Sequence, residues 1–535
     1  MIEQTSENHA ETVRDSLSRN VLVDVAARVG YLLSRFFIPP FVLAHVSLAA
    51  YGLWSTAFIV VSYIGISTLG ISNVYVKYIA EYSARREYQK ANRLLSTGLL
   101  VTTPACLLIF LFLWMAWPTV TTWLHIEPAL QKDAKEVVLA VTAIFLASIS
   151  LSAFRDVMAG VQQTAWVQYV WIVGYMLEAF LIFFLVGIGR GIRGLAEAFL
   201  IRTVVEIGLQ VVVTFRKLPW LRISPALFSR ESLKILLSFG GIVQLQSLIA
   251  IFLNSVERAV AAPFVGLSAT GLLDIGKKLP SMAASLPSAF ASSLVPAASY
   301  LHGGLEGTPE QRESVQKLYL KGARYMNLTA AYVCALLVAI PVSLLDVWMG
   351  KRYAGAAYLM VIFSISTQVH LMTGPGTSIL KGIGRPREEF YYGIPNLLAL
   401  LITLPLARFI EGRWTALGIG TAVAAATVLS AAFFIAHANR LLRIGFARYW
   451  TSVVFPGIVP YFVALLFAYP VSQAVAHSPR IGGAAILVLT GVLYTALVAA
   501  VTHFWIWETG ERLWFHAIIV QKLARFRRMP VAASS

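Results

Sequence analysis

Fourteen apolar runs alternate with short polar segments along the chain. They cover residues 20–43, 47–74, 96–123, 136–158, 166–188, 194–215, 233–263, 268–299, 324–345, 355–380, 389–410, 415–438, 451–475 and 482–506. Each is long enough for the about 20 mostly apolar residues that a membrane-crossing helix needs. The polar connections are short. The longest, His302 to Arg324, is below the about 50 residues of an independent domain. The pattern predicts an all-α polytopic membrane protein of about fourteen transmembrane helices.

Composition sharpens this reading. Of 535 residues, 58% are hydrophobic and 13% charged, with mean hydropathy +0.72. A soluble enzyme carries about twice that share of charge, so a soluble, disordered or fibrous chain is excluded. The formal charge of +17 would suggest nucleic acid in a soluble protein, so the placement of the basic residues decides. If both termini face the cytoplasm, 28 of the 43 Lys and Arg fall on that face and 8 on the other. This asymmetry is the positive-inside signal, spread over many loops rather than built into a groove. It argues for cytoplasmic termini and against a nucleic-acid partner. The N-terminal stretch MIEQTSENHAETVRDSLSRN lacks the basic region and short apolar core of a signal peptide and reads as a cytoplasmic tail. Cys106 and Cys334 lie in apolar runs, so no disulfide framework or CxxC metal site is expected.

An internal repeat divides the chain. FVLAHVSLAAYGLW (41–54) resembles FVGLSATGLL (264–273), with Gly52 aligned on Gly271. The loop ending at Gly98 resembles the loop ending at Gly322, and Trp123-Leu124 matches Trp348-Met349. The offsets are 219, 224 and 225. The expected organisation is a cytoplasmic tail (1–19), a six-helix N-lobe (20–230), a parallel six-helix C-lobe (231–445), two added helices (446–506) and a cytoplasmic C-terminal tail (507–535). Parallel six-helix repeats are a transporter architecture with the substrate site between the halves.

Several segments carry a family resemblance. They are RFFIPPFVLAHVSLAAYGLWSTAFIVVSYIGISTLGISNVYVKYIAEY, the loop RKLPWLRISPALFSRESLKILLSFG, NSVERAVAAPFVGLSATGLLDIGKKL, LLDVWMGKRYAGAA and SILKGIGRPREE. In order and topology these resemble the polysaccharide-transporter branch of the multidrug/oligosaccharidyl-lipid/polysaccharide exporter superfamily, the O-antigen and exopolysaccharide flippases. Many members have Asp before the Arg at the end of span 7, where this chain has Glu257-Arg258. The resemblance implies a lipid-linked oligosaccharide as substrate and the bacterial inner membrane as location. It also implies a polysaccharide polymerase and chain-length proteins as further partners. The lipid II flippases and the cation-coupled multidrug exporters of the same superfamily are the alternative readings.

Charges inside the apolar runs are the candidate chemistry, because a charge at the bilayer centre costs about 2.5–3.5 kcal/mol on insertion scales. Asp24, Arg28 and Arg35 share one face of span 1. Glu178 lies in span 5; Arg202 and Glu206 lie in span 6. Glu257, Arg258, Asp274, Lys277 and Lys278 lie in spans 7 and 8. Arg28, Arg35, Arg258, Lys277 and Lys278 are the candidate ligands of a pyrophosphate head group, and spans 1, 7 and 8 are where the resembling flippases carry their cavity cations. The competing reading is internal ion pairing or snorkelling at span ends. Arg202 and Glu206 read as a structural i,i+4 pair. Glu178, Asp24, Glu206 and Asp274 are candidates to couple a proton or sodium ion, Asp24 beside Arg28 and Asp274 beside Lys277 being read mainly as charge balance. Glu178 has no cation one turn away and is the leading coupling candidate. His370 in span 10 reads as a satisfied bundle residue, and Gln244, Gln246, Asn254, Gln368 and Asn396 could meet sugar hydroxyls or bond between helices. ESVQKLYLKGARY and ERLWFHAIIVQKLARFRR are expected as helices on the cytoplasmic membrane surface. No catalytic constellation, P-loop, metal cluster or cofactor motif is present in the sequence, so no enzymatic activity and no cofactor are expected.

Overall fold

The computed structural model describes residues 30–512 apart from 33, 125, 127, 162, 305–308 and 508–510. These residues are almost entirely helical, with no strand among them. The helices are α1 (30–45), α2 (Leu48–Ala84), α3 (Tyr88–Met115), α4 (Trp117–Trp123), α5 (Gln131–Gly160), α6 (Thr164–Gly187), α7 (Gly191–Lys217), α8 (Arg230–Phe264), α9 (Leu267–Ala283) and α10 (Ser285–Gly304). They continue as α11 (Pro309–Ala339), α12 (Pro341–Trp348), α13 (Ala356–Leu371), α14 (Gly374–Gly382), α15 (Phe390–Glu411), α16 (Ala416–Leu441), α17 (Phe446–Tyr449), α18 (Phe455–Ala476) and α19 (Arg480–Val501). Among the described residues, nine helices are long and apolar enough to cross a membrane. A tenth is added if the pair around Ile340, bent by 82°, is one span.

Polytopic membrane character is visible in what the helices leave uncovered. Phe112, Met115, Leu401, Ile402, Phe409 and Ile481 are between 68 and 86% exposed. A water-soluble surface rarely shows contiguous apolar patches of this kind, whereas lipid tails solvate them.

By contact density the chain divides into two compact units. One holds the described residues up to 278 with 393–430, and the other holds 279–392 with the described residues from 431 on. In the first, α2 packs on α3, α5 and α8, and α7 packs on α5 and α6. Its core joins Leu53, Ala57, Val137, Val141, Phe199 and Leu267. The loop between α7 and α8 is tied across α3. Asn92 donates to the Trp220 carbonyl and accepts from the Arg222 N–H, Ser96 accepts from the Ser224 N–H, and Thr97 accepts from the Ser229 N–H. Trp220 stacks on Tyr88 at 4.7 Å.

In the second unit α11 is central, against α10, α13, α14 and α18. Its first half, ESVQKLYLKGARY, differs from the expected surface helix. Val315, Tyr319, Leu320 and Ala323 recur at helical spacing and are buried against Leu442, Ile444, Tyr449 and Val453, so the segment continues directly into the apolar half of α11. The other expected surface helix, ERLWFHAIIVQKLARFRR, lies almost wholly outside the described residues. Gly350 and Gly384, inside the quoted motifs, have φ of 101° and 80°, the left-handed turn in which glycine ends a helix.

Close glycine contacts recur between the halves at one offset. A Cβ on Gly98 would meet the Tyr75 ring, and one on Gly322 would meet Leu294, which stands 219 residues after Tyr75. A Cβ on Gly160 would stand 3.1 Å from both the Val76 carbonyl and the Ile79 side chain. One on Gly382 would stand 2.7 Å from the Val295 carbonyl and 2.6 Å from the Ala298 side chain, again 219 residues on. The short helices α4 and α12 both follow a long helix, carry proline in their first two positions and end at Trp123 and Trp348. Gly52 and Gly271 face each other directly. A Cβ on Gly52 would lie 1.8 Å from the Leu267 carbonyl oxygen, and one on Gly271 would lie 2.9 Å from the Leu48 carbonyl oxygen. Each glycine thus meets the residue four before its counterpart.

Candidate functional site

Two clusters of buried charge lie in the first unit. In the first, helical spacing lines up the groups: Tyr31 and Arg35 one turn apart on α1; Trp171, Tyr175 and Glu178 along one face of α6; Phe199, Arg202 and Glu206 along one face of α7. Arg35 Nη2 lies 3.5 Å from Glu178 Oε2, and Arg202 Nη2 lies 2.7 Å from Glu206 Oε2. The Tyr175 ring is close to both arginines, 5.5 Å from the Arg35 guanidinium carbon and 4.2 Å from that of Arg202. Tyr31 packs edge-on to Tyr175 at 4.9 Å, and Trp171 lies 4.3 Å from Tyr175. Cation–π attraction to these ring faces offsets part of the repulsion between the arginines.

The second cluster joins α2, α8 and α9. Asp274 accepts from Tyr51 Oη at 2.7 Å and from Arg258 Nη1 at 3.0 Å, and Lys278 Nζ is 3.4 Å away. Arg258 also donates to Ser55 Oγ at 3.3 Å. Lys277 Nζ donates to Glu257 Oε1 and to the Asn254 carbonyl, each at 2.7 Å. Glu257 is fully buried. A buried carboxylate in this setting is tolerable only when paired and hydrogen-bonded, and each here has at least one cation in contact.

Arg35, Arg258, Lys277, Lys278, Glu178, Glu206 and Asp274 therefore all fall into these two clusters. Asp24 and Arg28 lie outside the described residues. Asp274 pairs with Arg258 and Lys278; Lys277 turns to Glu257, one helix away. The cation missing one turn from Glu178 comes from another helix, as Arg35. Arg202 and Glu206 form the expected i,i+4 pair. The second cluster has three cations to two carboxylates, and the first is balanced. The donor capacity of the arginines is not used up: the Nε–H groups of Arg35, Arg202 and Arg258 are buried without a hydrogen-bond acceptor. Among the described residues no group of three or more His, Cys, Asp and Glu could hold a metal ion.

Of the neutral candidates, Gln368 bonds between helices, donating to Asn327 Oδ1 at 2.9 Å and accepting from Tyr461. Asn254 contributes its carbonyl to Lys277, and His370 lies 5.0 Å from the Tyr392 ring. The side chains of Gln244 and Gln246 lie outside the described ones. Tyr51, Ser55, Tyr31, Trp171 and Tyr175 were not singled out by the sequence. Tyr31 shares a helix face with Arg35, which is a usable signal. Tyr51 offers none, because its partner is 223 residues away.

The model of the family described as polysaccharide biosynthesis protein matches residues 19–302, more than half of the chain. The uncharacterized membrane protein EpsK of Bacillus subtilis (strain 168) is 22% identical over 493 residues, covering 90% of this chain and 94% of EpsK. Two solved structures share the fold. The lipid II flippase MurJ, in an inward closed conformation, has a TM-score of 0.69 at 10% identity, covering 90% of this chain and 98% of MurJ. An inward-facing multidrug resistance MATE family transporter of the MOP superfamily has a TM-score of 0.63 at 17% identity, covering 79% of this chain and 94% of its own. The chain thus has the helical fold of known membrane transporters and belongs to the polysaccharide biosynthesis protein family.

Proposed function

We propose that the protein is a flippase that moves undecaprenyl-pyrophosphate-linked oligosaccharide units across the bacterial inner membrane for O-antigen or exopolysaccharide assembly. The observation that carries this reading is the pair of clusters of Arg and Lys with buried acids within a fold shared with transporters. Unused guanidinium donors in a site of low dielectric are suited to phosphate oxygens, which Arg grips in bidentate fashion. The head group enters from the cytoplasm and meets Arg35, Arg258, Lys277 and Lys278, while the polyprenyl tail stays in lipid. The two six-helix repeats then rock and release it on the other side, with two further helices completing a fourteen-span topology and both termini in the cytoplasm. Glu178, Glu206 and Asp274 are the buried acids available to couple a proton or sodium ion. The family match to polysaccharide biosynthesis favours this cargo over lipid II or a cationic drug. A mainly cationic second cluster also suits an anion better than a cation.

The test is translocation of fluorescent undecaprenyl-pyrophosphate-linked oligosaccharide in proteoliposomes, with fluorescent lipid II and a cationic dye in parallel. The expected result is transport of the oligosaccharide lipid and a loss of about tenfold or more in an Arg35→Ala/Arg258→Ala variant, since each lost charge-assisted contact is worth about 1.5–3 kcal/mol. Transport of the dye or lipid II in its place, or an unaffected double variant, refutes the reading.

A further inference from the structure

Arg202 was read from the sequence as half of a self-contained pair, yet the fold brings it to the same Tyr175 ring as Arg35. Both guanidinium carbons lie within 5.5 Å of that ring's centroid. Each arginine is only partly satisfied. Arg35 reaches Glu178 at 3.5 Å, longer than the about 2.7–2.9 Å of a charge-assisted bond, and its Nε–H has no acceptor. Arg202 holds Glu206 through Nη2, and its buried Nε–H also lacks an acceptor. A guanidinium carries five N–H donors in a fixed fork. Two such forks about one ring, each with spare donors, match a ligand with two adjacent groups of acceptor oxygens.

We propose that Arg35 and Arg202 form a pyrophosphate clamp, one guanidinium to each phosphate, and that Glu178 and Glu206 hold the arginines in place when no substrate is bound. This rests on the flippase reading above and adds a ligand from α7 that lies outside the cationic spans 1, 7 and 8. The two phosphates replace the two carboxylates charge for charge. Glu178, 2% exposed, is then left buried without its arginine. The charged and titratable groups facing this site are Arg35 and Tyr31 from α1, Tyr175 from α6, Arg202 and Glu206 from α7, and beyond them Arg155 from α5.

The experiment is calorimetric titration of the purified full chain in detergent with undecaprenyl pyrophosphate and with undecaprenyl monophosphate. Inorganic pyrophosphate is the lipid-free arm. Wild type is expected to prefer pyrophosphate over monophosphate. Arg202→Gln lowers pyrophosphate affinity about tenfold or more while monophosphate affinity stays within about twofold. Arg202→Lys, which keeps the charge and loses the fork, also loses the preference and covers the case of a misfolded Gln variant. Glu178→Gln keeps the preference. Inorganic pyrophosphate competes in wild type and loses that ability in the Arg202 variants. If folded Arg202 variants keep the wild-type preference, the clamp is overturned while the flippase reading stands. If wild type binds no polyprenyl pyrophosphate at all, both fall.

Discussion

Gly52→Ala tests a close backbone-to-backbone helix crossing in the first unit. The added Cβ would lie 1.8 Å from the Leu267 carbonyl oxygen, 2.7 Å from its carbon and 3.1 Å from the Gly271 nitrogen. A close carbon–oxygen contact runs about 3.3–3.6 Å, so α2 and the start of α9 must part by about 1.5 Å. The obstacle is backbone, which cannot rotate away like a side chain. The buried neighbours Ala50, Leu53, Ala262 and Leu267 would lose contact as well. Overpacking of this kind costs up to about 3 kcal/mol, and the better helix propensity of alanine returns about 1 kcal/mol, for a net loss of about 2 kcal/mol. At about 2 °C per kcal/mol for a large domain, the thermal midpoint in detergent should fall by about 4 °C. Gly208→Ala is the matched control. It lies inside α7 with nothing within 4 Å of its added Cβ, so it should raise the midpoint by about 1–2 °C. Size-exclusion chromatography after graded heating reads both. A Gly52→Ala midpoint equal to wild type, or shifted upward like Gly208→Ala, would refute the close crossing.

Two further outcomes follow from single contacts. Tyr51→Phe removes the hydroxyl that donates to buried Asp274, and should cost about 2 kcal/mol. In a double-mutant cycle with Asp274→Asn the two changes should show a coupling of about 1 kcal/mol or more, and simple additivity would dismiss the bond. Gly457→Ala places a Cβ 2.0 Å from Asn327 Nδ2, the donor that holds the Val453 carbonyl at 2.8 Å beside the π-helical turn 450–454. Limited proteolysis at the α17–α18 junction should then speed up severalfold, and an unchanged cleavage rate would show that this network does not fasten α18 to α11.

The chain's helical, membrane-crossing character was legible at once, because a lipid solvent imposes long uninterrupted apolar runs that few other constraints imitate. Helix breaks were less legible. Ile340 and Ala284 interrupt runs that read as continuous, since proline just inside a helix start is compatible with apolar spacing on both sides. ESVQKLYLKGARY looked like a surface helix because its polar residues dominate its composition. Its buried stripe has a partner only once residues 442–453 fold back onto it.

The candidate site divides along the same line. Which residues carry charge in the apolar runs, and that such charges need partners, followed from composition and the cost of desolvation. Spacing within one helix was enough for Arg202–Glu206, which the fold forms as expected. Glu178 and Lys277 take their partners from other helices, so spacing left Glu178 without a cation; Asp274 has Lys278 one turn along its own helix and adds Arg258 and Tyr51 from two others. The internal repeat stands between these cases. A residue offset is a property of sequence, but the meeting of Gly52 with Leu267, and of Gly271 with Leu48, exists only where two helices cross closely enough to exclude a methyl group. The Arg35–Glu178 pair, the Tyr51–Asp274 bond and the Gly52 crossing depend on distances between segments some 140 to 220 residues apart, and those distances are set by packing, which no local pattern encodes.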